Sequence, residues 1–225
     1  PHRASQEYVA PFIHTGRRVF DLSADFRFSR IETYEQTYAI EHKEKELAKK
    51  AVYGLAEFNR EKIKDAQLIA VPGCYPTGAL LGILPIVRAG VRLNSPIIVD
   101  AKSGVSGAGR KPTETTHFPE CNESIMAYAV GHHRHQPEIE EKIHEAGGEN
   151  ARDVRLIFTP HLIPMTRGIL STIYLSLAQE VGEQDIARIF QEHYGDEFFI
   201  RLLPAGKFPT TKAVTYTNFC DIGWK

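Results

Sequence analysis

Short apolar runs bounded by turn-forming residues alternate along this chain with stretches of helical spacing. Ser5 to Thr15 predicts a helix, with Ser5 as its N-cap and Gly16 as the residue that ends it. Val19-Phe20-Asp21-Leu22 predicts a short strand closing on polar Ser23. Residues 29–66 are charged and broken, with helices predicted at Lys43 to Ala51 and near Asn59 to Lys64. The charge run around Glu41 to Lys50 predicts a solvated helix face. Leu68-Ile69-Ala70-Val71, closed by Pro72-Gly73, predicts a buried strand entering a sharp turn. Apolar residues then occupy nearly every helical face from Ala79 to Ala89, which predicts a buried helix stopped by Gly90. Pro85 inside it is expected to kink or shorten the last turns.

The remainder is richer in strands. Ile97 to Asp100, Ile125 to Val130, Arg155 to Phe158, Ile169 to Leu177 and Phe199 to Leu203 predict strands, and Pro137 to Ala146 and Asp185 to Tyr194 predict helices. The pattern implies an α/β layer passing into a mixed-sheet α+β layer, with the boundary near Cys74. No internal repeat or low-complexity tract interrupts it.

Composition narrows the partners. The 225 residues are 42% hydrophobic, enough to fill a core, and carry a formal net charge of -1. That balance gives no electrostatic reason to expect nucleic acid or an anionic membrane. No apolar run approaches the roughly 20 residues that span a bilayer. Pro1-His2-Arg3-Ala4-Ser5 lacks the apolar core of a signal peptide. Cys74, Cys121 and Cys220 are odd in number and widely spaced, so no disulfide framework or structural zinc site is indicated, and a reducing cytoplasm is the expected location.

Four segments carry chemistry. In Val71-Pro72-Gly73-Cys74-Tyr75-Pro76-Thr77-Gly78, a strand–turn–helix order puts Cys74 at a helix amino terminus, where the dipole favours a thiolate and backbone donors can hold an oxyanion; the other reading is a buried structural cysteine. In His132-His133-Arg134-His135, an extended segment would put His133 and His135 on one face. Acid–base catalysis, a metal site and plain helix capping stay open there. Ser103-Gly104-Val105-Ser106-Gly107-Ala108-Gly109-Arg110-Lys111-Pro112 follows a strand and has the composition of a loop that cradles phosphate through backbone donors. It is no P-loop, because Arg110-Lys111-Pro112 stands where Gly-Lys-Ser/Thr belongs. Asp21 to Arg27 lies at the carboxyl end of a strand, where open α/β sheets bind ligands, although Asp25 and Arg27 could equally form an ion pair.

Taken in order, these segments resemble the N-acetyl-γ-glutamyl-phosphate reductases, the arginine-biosynthesis branch of the semialdehyde dehydrogenase group. Val19 to Arg27, Tyr53-Gly54-Leu55-Ala56-Glu57, Val71 to Thr77, Ser103 to Arg110 and His133 to Ile139 carry the likeness, with Phe158 to Leu162, Arg167-Gly168 and Cys220 to Gly223. The resemblance implies the second half of a Rossmann-like dinucleotide-binding domain over residues 1–73, then a mixed-sheet catalytic and dimerisation domain over 74–225. It implies NADPH-dependent reduction of an acyl phosphate to a semialdehyde and phosphate through a thioester on Cys74. His135, placed ahead of His133, would be the general acid/base. Ser103, Gly104, Ser106, Gly107, Ala108 and Gly109 would line the nicotinamide, and Arg27, Arg110 and Arg134 would meet the substrate's phosphate or carboxylate, with no metal. A homodimer or homotetramer is implied as well. The family's glycine fingerprint and its closing strand and helix have no counterpart here, so a fragment that binds NADPH poorly is expected. A lysine-pathway aminoadipyl phosphate is the neighbouring substrate reading. A cofactor-independent Cys/His acyltransferase or hydrolase, and a metal module on His132, His133 and His135, are the readings from other classes.

Overall fold

Leu68 to Ala70 has no polar side chain, and the fold buries all three residues between two other strands. A computed structural model describes residues 4–225, which divide into two units, one up to Thr77 and one from Gly78 to Lys225. Pro1, His2 and Arg3, part of the stretch read above as lacking a leader core, lie outside the described residues. The first unit runs α1 (Ser5–His14), β1 (Val19–Asp21), α2 (Ile31–Tyr38), α3 (Lys45–Lys50), β2 (Val52–Tyr53), α4 (Ala56–Asp65) and β3 (Leu68–Ala70). Its parallel sheet has the order β1-β3-β2. Val9, Phe26, Ile31 and Ala48 pack against Leu68 and Ala70.

Two expectations change here. Ser5 is not the N-cap of α1: Ala4 holds that position, and the Ser5 amide donates to the Asp25 carboxylate instead. Helix α2 was hidden inside the charged stretch. It buries Ile31, Tyr34 and Tyr38 at helical spacing, but its two threonines and its low overall apolarity mask the period. Strand β2 is only two residues long and pairs through the strand register rather than through any local pattern.

Helix α5 (Cys74–Arg88) begins in the first unit and continues into the second. There follow β4 (Leu93–Ser103), α6 (Phe118–Cys121), β5 (Met126–Ala127), α7 (His135–Gly147), β6 (Leu156–Leu162), β7 (Ile169–Leu177), α8 (Glu183–Tyr194), β8 (Ile200–Leu202), α9 (Thr211–Val214) and β9 (Cys220–Ile222). The main sheet is mixed, in the order β5-β6-β4-β7: β4 is parallel to β6 and antiparallel to β7. Alternation along β4 and β6 sends Ile97, Val99, Ala101, Leu156 and Phe158 to a buried face. The predicted strand over Ile125 to Val130 shrinks to Met126–Ala127, because Ala129 adopts a positive φ and the chain turns away.

Pro85 does not shorten α5, which runs through it to Arg88. Lacking an N–H, Pro85 leaves the Leu81 carbonyl without its helical donor. The buried Tyr194 hydroxyl of α8 supplies the bond instead, at 2.6 Å.

Candidate active site

Strand β3 delivers the chain to the candidate nucleophile. The Val71 amide donates to the Asp21 carbonyl at 2.8 Å, the last backbone bond between the two strands' exits. Pro72 and Gly73 then turn the chain, and the Gly73 carbonyl accepts the Thr77 amide at 3.0 Å and the Thr77 hydroxyl at 2.9 Å. Helix α5 therefore opens at Cys74, whose side chain is exposed. The N–H groups of a first helical turn point out of the helix end, toward whatever approaches it. An exposed sulfur at such an end fits a reactive cysteine better than a structural one.

The Leu22 to Arg27 loop beside this turn is held by buried polar groups. Asp21 accepts the Ser23 amide and hydroxyl, and the Ser23 hydroxyl accepts the Asp25 amide. Asp25 accepts the Tyr34 hydroxyl at 2.9 Å, which in turn accepts the Gln6 amide. Desolvation, with the Asp25 carboxylate beside it, pushes the Tyr34 hydroxyl far above the ordinary tyrosine range. Arg27 is 5% exposed, and its Nε and Nη2 donate to the Val71 and Leu22 carbonyls at 2.7 and 3.0 Å. Two of its donors are thus engaged by backbone rather than left for a substrate.

In the second unit, the histidine motif is not extended. His135 is the first residue of α7, and its amide donates to His133 Nδ1 at 3.1 Å. His133 thus accepts a first-turn amide of α7 on Nδ1, which in the neutral ring leaves the proton on Nε2. Its ring packs edge-on against Tyr128, Phe158 and His135. Desolvation, followed by the charges of Arg134 and His132, pulls its pKa down to about 4. His135 is buried, and Glu138, one turn along the same helix face, is fully buried. The sequence reading did not single out Glu138 for catalysis; its carboxylate is 0% exposed, and its i, i+3 spacing from His135 is the signal that could have raised it. His132 is exposed and its Nδ1 lies 3.0 Å from the Val130 carbonyl. Among the described residues no group of three or more His, Cys, Asp or Glu could hold a metal ion.

The glycine-rich loop forms a 3₁₀ turn, Val105–Ala108. The amides of Gly104, Val105 and Ser106 donate to the carbonyls of Gly168, Met165 and Thr166, while those of Gly107 and Gly109 donate within the loop. So five of the backbone donors expected to form a cradle are engaged within the protein, three of them by the 165–168 segment. A Cβ on Gly104 would lie 2.7 Å from the Arg167 amide nitrogen, which explains the glycine there. Ser106, Gly107, Ala108 and Gly109 are exposed, and so are Arg110 and Arg134.

Comparison with known proteins bears on both units. Residues 74–225 match the family model described as the semialdehyde dehydrogenase dimerisation domain, and residues 1–66 match the semialdehyde dehydrogenase NAD-binding domain. N-acetyl-γ-glutamyl-phosphate reductase of Alkaliphilus metalliredigens is 49% identical over all 225 residues. The chain belongs to the semialdehyde dehydrogenase family. The reductase of Methanocaldococcus jannaschii is 48% identical over 99% of the chain. The chain spans 64% of the length of the Alkaliphilus protein and 63% of the Methanocaldococcus one. Among solved structures, aspartate semialdehyde dehydrogenase II of Vibrio cholerae matches with a TM-score of 0.69 at 16% identity, covering 97% of this chain and 65% of that one. That likeness shows the semialdehyde dehydrogenase fold and agrees with the α/β plus mixed-sheet reading of the sequence. No helix among the described residues is long and apolar enough to cross a membrane.

Proposed function

We propose that this chain is the catalytic portion of an enzyme that reduces N-acetyl-γ-glutamyl phosphate to its semialdehyde, releasing phosphate, with NADPH as reductant, as a step of arginine biosynthesis. The observation that carries the reading is the exposed sulfur of Cys74 at the first residue of α5, behind a turn fixed at both ends.

The Cys74 thiolate attacks the acyl carbon, and the carbon–oxygen bond to phosphate breaks with its electron pair leaving on phosphate. A thioester remains on the sulfur. NADPH, when bound, supplies the hydride that converts this thioester to a thiohemiacetal. Exposed Ser106, Gly107, Ala108 and Gly109 are small residues that leave room for a planar ring, while the engaged amides of Ser106, Gly107 and Gly109 argue against a pyrophosphate there. Collapse of the thiohemiacetal breaks the carbon–sulfur bond and returns the thiolate. Helix amides at the α5 terminus favour the oxyanion at both tetrahedral stages. His135 is assigned the proton transfers at the carbonyl oxygen, and His133 a supporting role, since its Nδ1 is engaged by the His135 amide and its ring resists protonation. Glu138, fully buried one turn after His135 on the same helix, is assigned the role of orienting it. Arg110 and Arg134, exposed cations of the second unit, are the assigned anion contacts.

The functional units are read as part of a dinucleotide-binding domain followed by a catalytic domain, and copies of the protein are proposed to associate through the second unit's sheet. The test is Cys74→Ser in the intact protein. Both semialdehyde formation and phosphate-dependent oxidation of the semialdehyde should fall at least about 10³-fold. Retention of either activity near the parent level overturns the reading.

A further inference from the structure

The ladder between β1 and β3 ends at Asp21 opposite Ala70, with one further bond from the Val71 amide to the Asp21 carbonyl. Beyond it the Val71 and Leu22 carbonyls both accept from a side chain. The next rung of the parallel ladder would run from the Ser23 amide to the Val71 carbonyl, but that amide donates to the Asp21 carboxylate instead. The Arg27 guanidinium occupies this place and bridges both carbonyls. We propose that Arg27 is a positioning residue for the nucleophile: its fork extends the β1–β3 pairing by one rung and fixes the turn from which Cys74 enters α5.

The arm that carries Arg27 is stiff. Its loop is tied to β1 through Ser23 and Asp21, to α2 through Asp25 and Tyr34, and to α1 through the Ser5 amide. His42 Nε2 lies 2.6 Å from the Asp25 carbonyl. A planar fork held this way locates two acceptors at once, which a lysine ammonium on a flexible stem does not. At the other end of the turn, Thr77 holds the Gly73 carbonyl twice. Between these two anchors lie only Pro72 and Gly73, so the direction in which Cys74 enters the helix terminus follows from them. The consequence is electrostatic as well as geometric. A thiolate gains from a helix end only while it stays aligned with the first-turn amides, and that gain decays within a turn.

The catalytic consequence rests on Cys74 being the nucleophile, but the thiol's own titration does not. The experiment therefore reads the sulfur without substrate. Iodoacetamide alkylation of the Cys74 peptide is followed by mass spectrometry across pH in the intact protein, for Arg27→Lys, Arg27→Gln and Thr77→Val. Both Arg27 variants should move the midpoint upward by about one pH unit and slow alkylation at neutral pH about tenfold. Their kcat should fall about 10²-fold while KM for the acyl phosphate stays within about threefold. Lysine, which keeps the charge, should not rescue. Thr77→Val, which weakens the opposite anchor, should shift the midpoint in the same direction by less.

An unmoved Cys74 profile together with a raised KM overturns the proposal and makes Arg27 a substrate anchor. So does rescue of both alkylation and kcat by Arg27→Lys. Should neither Arg27 variant fold, the Thr77→Val profile decides: an upward midpoint supports the tethered turn, an unmoved one overturns it. A Cys74→Ser protein that keeps its activity would remove the enzymatic reading and leave these alkylation outcomes intact.

Discussion

At the scale of single residues, His133 and His135 differ although the letters around them are nearly symmetrical. The sequence brought both forward, and the resemblance placed His135 ahead without a local reason, because the distinction lies in which ring accepts a backbone amide. That depends on where α7 starts, two residues earlier than the apolar period alone predicts. The desolvated His133 ring stays neutral down to about pH 4, below its ordinary value of 6.5. A neutral ring in the folded state and a protonated one in the unfolded chain means that stability is present above the unfolded value and is lost as pH falls through the window from 6.5 to about 4. The loss should be on the order of 1–2 kcal/mol, allowing for solvent screening of a half-buried ring. His133→Asn should lower stability at neutral pH, by removing packing, and flatten this acid slope in denaturant titrations at several pH values. An unchanged slope would mean that another group carries the acid sensitivity. Cys74 is the opposite case, since its strand–turn–helix setting was legible from Pro72, Gly73 and the apolar run that follows.

At the scale of elements, the long apolar runs were legible and the short or mixed ones were not. Strands β3, β4 and β7 have cores of branched residues that only a buried sheet explains, whereas α2 hides its period behind threonines and β2 is too short to have one. Pro85 shows why a local rule can mislead. The missing N–H is real, but a tyrosine more than a hundred positions away along the chain meets the exposed carbonyl. Tyr194→Phe should therefore leave the Leu81 carbonyl buried and unmatched, costing about 1–3 kcal/mol. In a Pro85→Ala background the alanine amide can donate to Leu81, so the same change should cost much less. Equilibrium unfolding of the four proteins of this cycle gives the coupling directly. Simple additivity would show that the tyrosine hydroxyl and the proline are unrelated.

At the scale of the whole molecule, the second unit presents one sheet face whose pattern is not that of a surface left to solvent. Ile98 of β4 stands opposite Ile157 of β6 on one side and Tyr174 of β7 on the other, so three large side chains form a row across the strands. They are 37%, 49% and 57% exposed. Asp100 follows along β4, with Lys102 Nζ at 2.7 Å from one carboxylate oxygen and His161 Nδ1 at 3.1 Å from the other. An apolar row beside a compact group of opposite charges is self-complementary, because a two-fold axis brings each part against its like or its counterpart. That is the physical content we attach to a domain whose family model is described as a dimerisation domain. Ile157→Asp should then place one unmatched carboxylate per copy in the contact. The dissociation constant of the proposed dimer should rise by at least about 10²-fold, given the several kcal/mol that an unpaired buried charge costs. Sedimentation velocity across a dilution series reads this, and the monomer should keep its circular dichroism, since Ile157 contributes nothing to the covered side of the sheet. If the mutant sediments as the parent does, the association uses another surface, and the row of Ile157, Ile98 and Tyr174 needs a different explanation.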